Sequence, residues 1–217
     1  MNSTLKKVIA IIVLIMFIAV FSSSYKSLNI DNLAVVVAIG VDTSDTNKMK
    51  VTFQFTNASS VSESGTTEKA PSILNTIDAA SISSAMNIMN AYIGKELTLS
   101  HCKVIVFSEE FAKQGITDEI YTLMNDVEIR PSANIVVSKC DASYYIDNSK
   151  PVFEPLITKY YEIFPNSSRY TGYTVNASIG DFFNALVSPS MQPYAILGRN
   201  KYTKSAIWYN YRLSKGF

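Results

Sequence analysis

Cysteine and histidine are nearly missing from this chain, which has two cysteines, Cys102 and Cys140, and one histidine, His101. Two thiols so far apart supply neither a zinc-ligand spacing nor a disulfide framework. Excess charge is missing too: 19 basic and 18 acidic residues are spread along the chain for a net +1, without the basic footprint that a nucleic-acid backbone demands. No glycine-rich phosphate loop, Walker sequence, serine-nucleophile elbow or His/Cys metal spacing occurs, so no cofactor is indicated. What is there is 217 residues, 47% of them hydrophobic, enough for one full globular domain and part of a second.

The N-terminus carries the first sharp feature. Lys6 and Lys7 precede an unbroken apolar run from Val8 to Phe21, and Ser22, Ser23 and Ser24 follow it. Charge, then apolar run, then small polar residues is the order of an export signal. Fourteen residues at about 1.5 Å each extend about 21 Å, short of the roughly 30 Å hydrocarbon core. The run therefore serves as a signal peptide or, with help from its flanks, as an uncleaved anchor. A helix buried in a folded domain would carry a polar face, and this one has none.

Beyond the serines, Leu33 to Val41 is a nearly continuous valine-rich run, as a strand buried on both faces requires. A polar turn over 42–48 leads to Val51, Phe53 and Phe55 alternating with Thr52, Gln54 and Thr56, which predicts a hairpin. Residues 57–69 have loop composition, and 72–79 return as a short strand. Ile82, Ala85, Met86, Met89 and Ile93 fall at helical spacing, with Ser81 as the N-cap and Gly94 as the stop. Buried-strand runs recur at Leu97–Phe107 and Ile135–Val137, with two short helical stretches between them, the latter capped by Thr117.

A further amphipathic helix covers 153–164, residues 165–172 read as a linker, and Ile179–Val187 opens a new helical unit. Strands alternating with helices in this way predict an α+β fold, a mixed β-sheet covered by helices. The expected division is an apolar signal or anchor over 1–24, an N-terminal α+β domain over 25–165, and a partial second domain over 166–217.

Three stretches, in order and at compatible spacing, resemble the C-subunit lipoproteins of spore germinant receptors, the Ger(x)C family. The strand from Asp31 to Asp42 looks like the start of that family's mature domain. Ser100-His101-Cys102-Lys103-Val104-Ile105-Val106-Phe107-Ser108-Glu109-Glu110-Phe111-Ala112 is similar to its central block. Asp126-Val127-Glu128-Ile129-Arg130-Pro131 matches its turn before a valine-rich strand. The likeness runs from about Asn29 to Val187, and family members continue past the end of this chain. It implies a non-catalytic subunit on the outer face of the spore inner membrane. There it would assemble with two integral-membrane subunits into a receptor for small nutrients, which those partners mainly bind. In one respect the chain departs from the family: Ser24-Tyr25-Lys26 stands where members have Cys-Trp-Asp. A serine hydroxyl cannot form the lipid thioether, so no lipidation is expected at Ser24 and Val8–Phe21 is expected to stay on as the anchor.

Candidate chemistry is sparse. His101 and Cys102 are neighbours on a predicted strand, where adjacent side chains point to opposite faces, so a Cys-His pair is not expected. Glu109 and Glu110 sit where carboxylates complement a helix dipole. Glu128 and Arg130 are expected to point the same way along an extended turn and to pair there, forming a tentative interaction surface. The late aromatics Tyr194, Tyr202, Trp208, Tyr209 and Tyr211 suit the core of a partner domain. Two other readings stand beside the receptor subunit: a secreted hydrolase built on Cys102, and a truncated, non-functional remnant.

Overall fold

The computed structural model describes residues 3–22, 33–56, 72–149, 154 and 156–199. The chain divides into two compact units, Met1–Asn32 and Leu33–Phe217. The first holds helix α1 (Ser3–Ser22), which contains the apolar run. Ile9 and Ile11 through Phe17 are exposed on it, as befits a helix with no polar face to leave outward. Among the described residues no helix is long and apolar enough to cross a membrane. Ser24 lies outside the described residues.

The second unit is α+β and is built on one mixed sheet, as the sequence predicts. Its strands are β1 (Leu33–Thr43), β2 (Met49–Thr56), β3 (Ser72–Ala79), β4 (Glu96–Thr98), β5 (Val104–Ser108), β6 (Asn134–Ser138) and β7 (Ile196–Gly198). They lie in the order β3-β2-β1-β5-β6-β7, with β4 beside the start of β1. The β1–β2 hairpin forms and β3 continues it antiparallel, while β1, β5, β6 and β7 run parallel. Lys48 in the hairpin turn holds the buried carboxylate of Glu119 at 2.7 Å, which ties the turn to the helical layer.

The two faces of the sheet differ. Ile39, Val41, Val51, Phe53, Ile105, Phe107, Ile135 and Val137 share one face by register, and all are buried. Helices α2 (Ile82–Ile93), α4 (Thr117–Asn125) and α7 (Ile179–Val187) form a contiguous layer that buries Met89, Ile120, Leu123 and Phe182 in the same core. The opposite face carries Gly40, Asp42, Thr52, Gln54, Ser108, Asn134 and Ser138. Helix α5 (Ala142–Asn148) lies against it so closely that a Cβ on Gly40 would come within 2.9 Å of Ile146, and one on Gly198 within 2.8 Å of Tyr145.

Local signals placed several boundaries. Ser81 caps α2 by accepting from the Ser84 amide, and Gly94 closes it at φ 63. Thr117 is not the cap of α4; the N-cap position is Ile116, which provides no side-chain bond, and Thr117 is the first helical residue. His101 stands in a turn rather than on a strand. Of the predicted helix over 153–164, residues 153 and 155 lie outside the described residues, and α6 covers Ile157–Ile163. The predicted linker instead continues α6 as a 3-10 helix, Phe164–Arg169, because Pro165 sits in a first turn where a missing amide is tolerated.

No break of the fold coincides with the expected boundary at 165. Helix α7 packs on α4, and β7 adds a strand to β6 of the same sheet, so residues 166–199 belong to the unit that begins at Leu33. Hydrogen bonds from the Ile135 amide to the Ala177 carbonyl and from the Ile179 amide to the Ala133 carbonyl stitch the segment in. Tyr202, Trp208, Tyr209 and Tyr211 lie outside the described residues.

Candidate functional site

The loop from Asp126 to Ala133 leaves the end of α4 and enters β6, and it is held on three sides. Against α4, the Asp126 amide bonds back to the Leu123 carbonyl, and the Asp126 carboxylate accepts from the Glu128 amide at 2.9 Å. Against the turn before β5, the Glu128 carboxylate accepts from the Leu99 amide at 2.6 Å. Against α7, the Pro131 carbonyl accepts from the Gly180 amide at 2.9 Å, and a Cβ on Gly180 would press to 3.1 Å of that carbonyl. Ile129 is buried between these ties, while Val127 is fully exposed and Arg130 and Pro131 face solvent.

Glu128 and Arg130 therefore do not pair. Alternation holds only in extended backbone, and here the Ile129 amide bonds to the Asp126 carbonyl at 3.3 Å, closing a turn that sends the two side chains separate ways. Glu128 is committed to the backbone. Arg130 has no ion-pair partner among the described residues, so the pinned loop presents a valine and a guanidinium three positions apart.

His101 and Cys102 share no chemistry. Cys102 closes a turn on the Leu99 carbonyl at 2.8 Å and is buried, its thiol donating to the Val104 carbonyl at 3.6 Å, whereas His101 is exposed. Burial pushes the Cys102 thiol up to about 12, so at neutral pH it keeps its proton and is no nucleophile. Cys140 lies 3.2 Å from the Ser138 hydroxyl, and both cysteines are free.

Of the two carboxylates that open α3 (Glu109–Gln114), Glu109 is engaged and Glu110 is exposed. Ser108 caps that helix through the Phe111 amide, and Glu109 holds Lys139 at 2.9 Å and Lys113 at 3.2 Å. Among the described residues no group of three or more His, Cys, Asp or Glu could hold a metal ion.

Two polar features escape a reading of the sequence. Asp42, 6% exposed at the end of β1, accepts from the Ala142 and Ser143 amides at 2.5 and 3.0 Å and so caps α5 from a hundred residues away. A lone aspartate closing an otherwise apolar run was its only trace. Gln54 and Tyr161 are buried close to one another, and the Asn134 side-chain amide donates to the Tyr161 carbonyl at 3.3 Å. No pattern along the chain links β2 to α6.

Residues 26–198 match the family model described as the spore germination protein N-terminal domain, which spans most of the chain and the whole sheet. The chain belongs to this family. The spore germination protein KC of Bacillus subtilis (strain 168) is similar to it, at 21% identity over 206 residues that cover 90% of this chain and 51% of that protein. The chain thus spans about half the length of the curated relative it matches. No solved structure matches it.

Proposed function

We propose that this chain is a non-catalytic subunit of a nutrient germinant receptor. It assembles with two integral-membrane subunits that bind the small-nutrient germinant, and it is attached to the outer face of the spore inner membrane through the apolar segment at 8–21. The observation that carries this reading is the family match over 26–198, whose members are named for spore germination. The burial of Cys102 supports it, since the competing hydrolase would rest on that thiol. Pinning of the 126–133 loop by three separate ties supports a surface of fixed shape, with Arg130 and Val127 as its outward groups.

The test is a pull-down of the tagged full chain from spore inner-membrane extract. Recovery of both membrane subunits is expected, with reduced recovery for Arg130→Glu. A folded chain that brings down neither subunit would refute the receptor role, and full recovery with normal germination for Arg130→Glu would remove the loop from the contact surface. Attachment is separately checked by mass spectrometry of the membrane-extracted protein: an intact N-terminal segment without a diacylglyceryl group is expected, and a chain starting near Tyr25 would overturn it.

A further inference from the structure

The sheet ends differently on its two sides. On one side β7 is only three residues long, a blunt edge with little to offer another strand. On the other side β3 is eight residues long, and every one of them is registered against β2 on its inner side, from Ser72 opposite Thr56 to Ala79 opposite Met49. Among the described residues no strand lies on its outer side. Natural edges of this length are blunted by lysine, proline or a bulge; β3 has no lysine and no proline, and its register with β2 is unbroken. Its single charge, Asp78, is occupied, accepting from the Ser44 hydroxyl at 2.6 Å. Ile73 is 52% exposed on this strand.

We infer that β3 is a pairing edge for a second copy of this chain, the two strands running antiparallel about a two-fold axis at Asn75. The pattern of the strand chooses that occupant and that register. With Asn75 opposite itself, Ile73 of each copy faces Ile77 of the other, Leu74 faces Thr76, and Asp78 faces Ser72. Every apolar side chain then meets an apolar or β-branched one, and no like charges oppose. Moving the axis by one residue to Thr76 sets Leu74 against Asp78 and leaves Ile73 facing Ala79. Asp78, already held by the Ser44 hydroxyl, faces only Ser72 of the second copy, so the pairing sets no charge against another. The net charge of +1 puts little long-range repulsion between the copies. The joined sheet would bury the half-exposed Ile73 twice. This inference does not depend on the receptor reading.

The experiment uses the full chain in detergent, with Cys140→Ser to remove the accessible thiol and Asn75→Cys to place a thiol on the axis. Residues opposite one another in an antiparallel pair stand about 4.5–5.5 Å apart at Cβ, within disulfide reach. Mild oxidation is expected to give a covalent dimer on a non-reducing gel, whereas Asp147→Cys on exposed α5 in the same background stays monomeric. Ile73→Lys added to Asn75→Cys is expected to abolish the dimer. Light scattering on the unmodified chain keeps the test open should Asn75→Cys fold poorly: twice the protein mass of the Ile73→Lys variant is expected. Equal masses for those two, or crosslinking at position 147 rather than 75, overturns the proposal.

Discussion

Glu128 and Arg130 are two residues apart, yet the structure assigns them opposite kinds of work, and their variants should separate cleanly. The Glu128 carboxylate accepts from the Leu99 amide at 2.6 Å, and Leu99 is fully buried, so truncation to alanine leaves that amide without a partner. A hydrogen bond to a charged acceptor contributes about 1.5–3 kcal/mol, and an orphaned buried donor costs about 1–3 kcal/mol. These describe one loss from two sides, and Glu128 is only half-buried, so about 2 kcal/mol is expected for Glu128→Ala. In a chain of this size that lowers Tm by about 4–8 °C. Glu128→Gln keeps a neutral acceptor and should lose about half as much. Arg130→Glu should leave Tm within about 1 °C, since an exposed side chain with no ion pair among the described residues contributes little to the fold. The assay is thermal unfolding followed by circular dichroism on the detergent-solubilised full chain. A Glu128→Ala variant as stable as the parent would show that the α4 and α7 ties hold the loop unaided, and the reasoning that makes Glu128 a fastener would fail.

Asp42→Ala removes both acceptors at the start of α5 from a buried position and is expected to cost about 2–4 kcal/mol, with hydrogen exchange quickening first at the Ala142 and Ser143 amides. Iodoacetamide at neutral pH should label Cys140 alone in the folded chain, and labelling of Cys102 without unfolding would contradict its burial. Above pH 9 the unfolded chain loses the Cys102 proton from its ordinary value of 9.0, while the folded chain holds it to about 12, so stability should fall as pH rises through that window. The buried Tyr145 and Tyr161 hydroxyls, also pushed upward by burial, act in the same direction.

Elements whose instructions are local were legible along the chain. The valine run of β1, the alternation of β2 and the heptad-like spacing of α2 each state their own burial, and Ser81 and Gly94 mark the ends of α2 because capping is settled within a turn. The three-residue β7 and the seven-residue α5 left no such trace, being too short to show a period, and the single run expected over Leu97–Phe107 divides into β4 and β5 at the turn that holds His101. Glu128 and Arg130 were legible as a loop but not as partners, since a single turn bond at Ile129 cancels the alternation on which pairing would depend. The expected boundary at 165 rested on polar composition, and composition does not record that β7 finds a free place beside β6.

By itself, then, the sequence determined the class of the fold, the order of its main strands and helices along the chain, and the family to which it belongs. Those follow from periodicity and from motifs read over a dozen residues. The tertiary structure alone decided which of the described strands ends the sheet on its long side, that Asp42 fastens a helix a hundred residues on, and that Cys102 is sealed while its neighbour His101 is exposed. The physical reason is common to all three: strand order, long-range capping and burial depend on which distant segments meet, and no spacing along a chain encodes a meeting between residues so far apart.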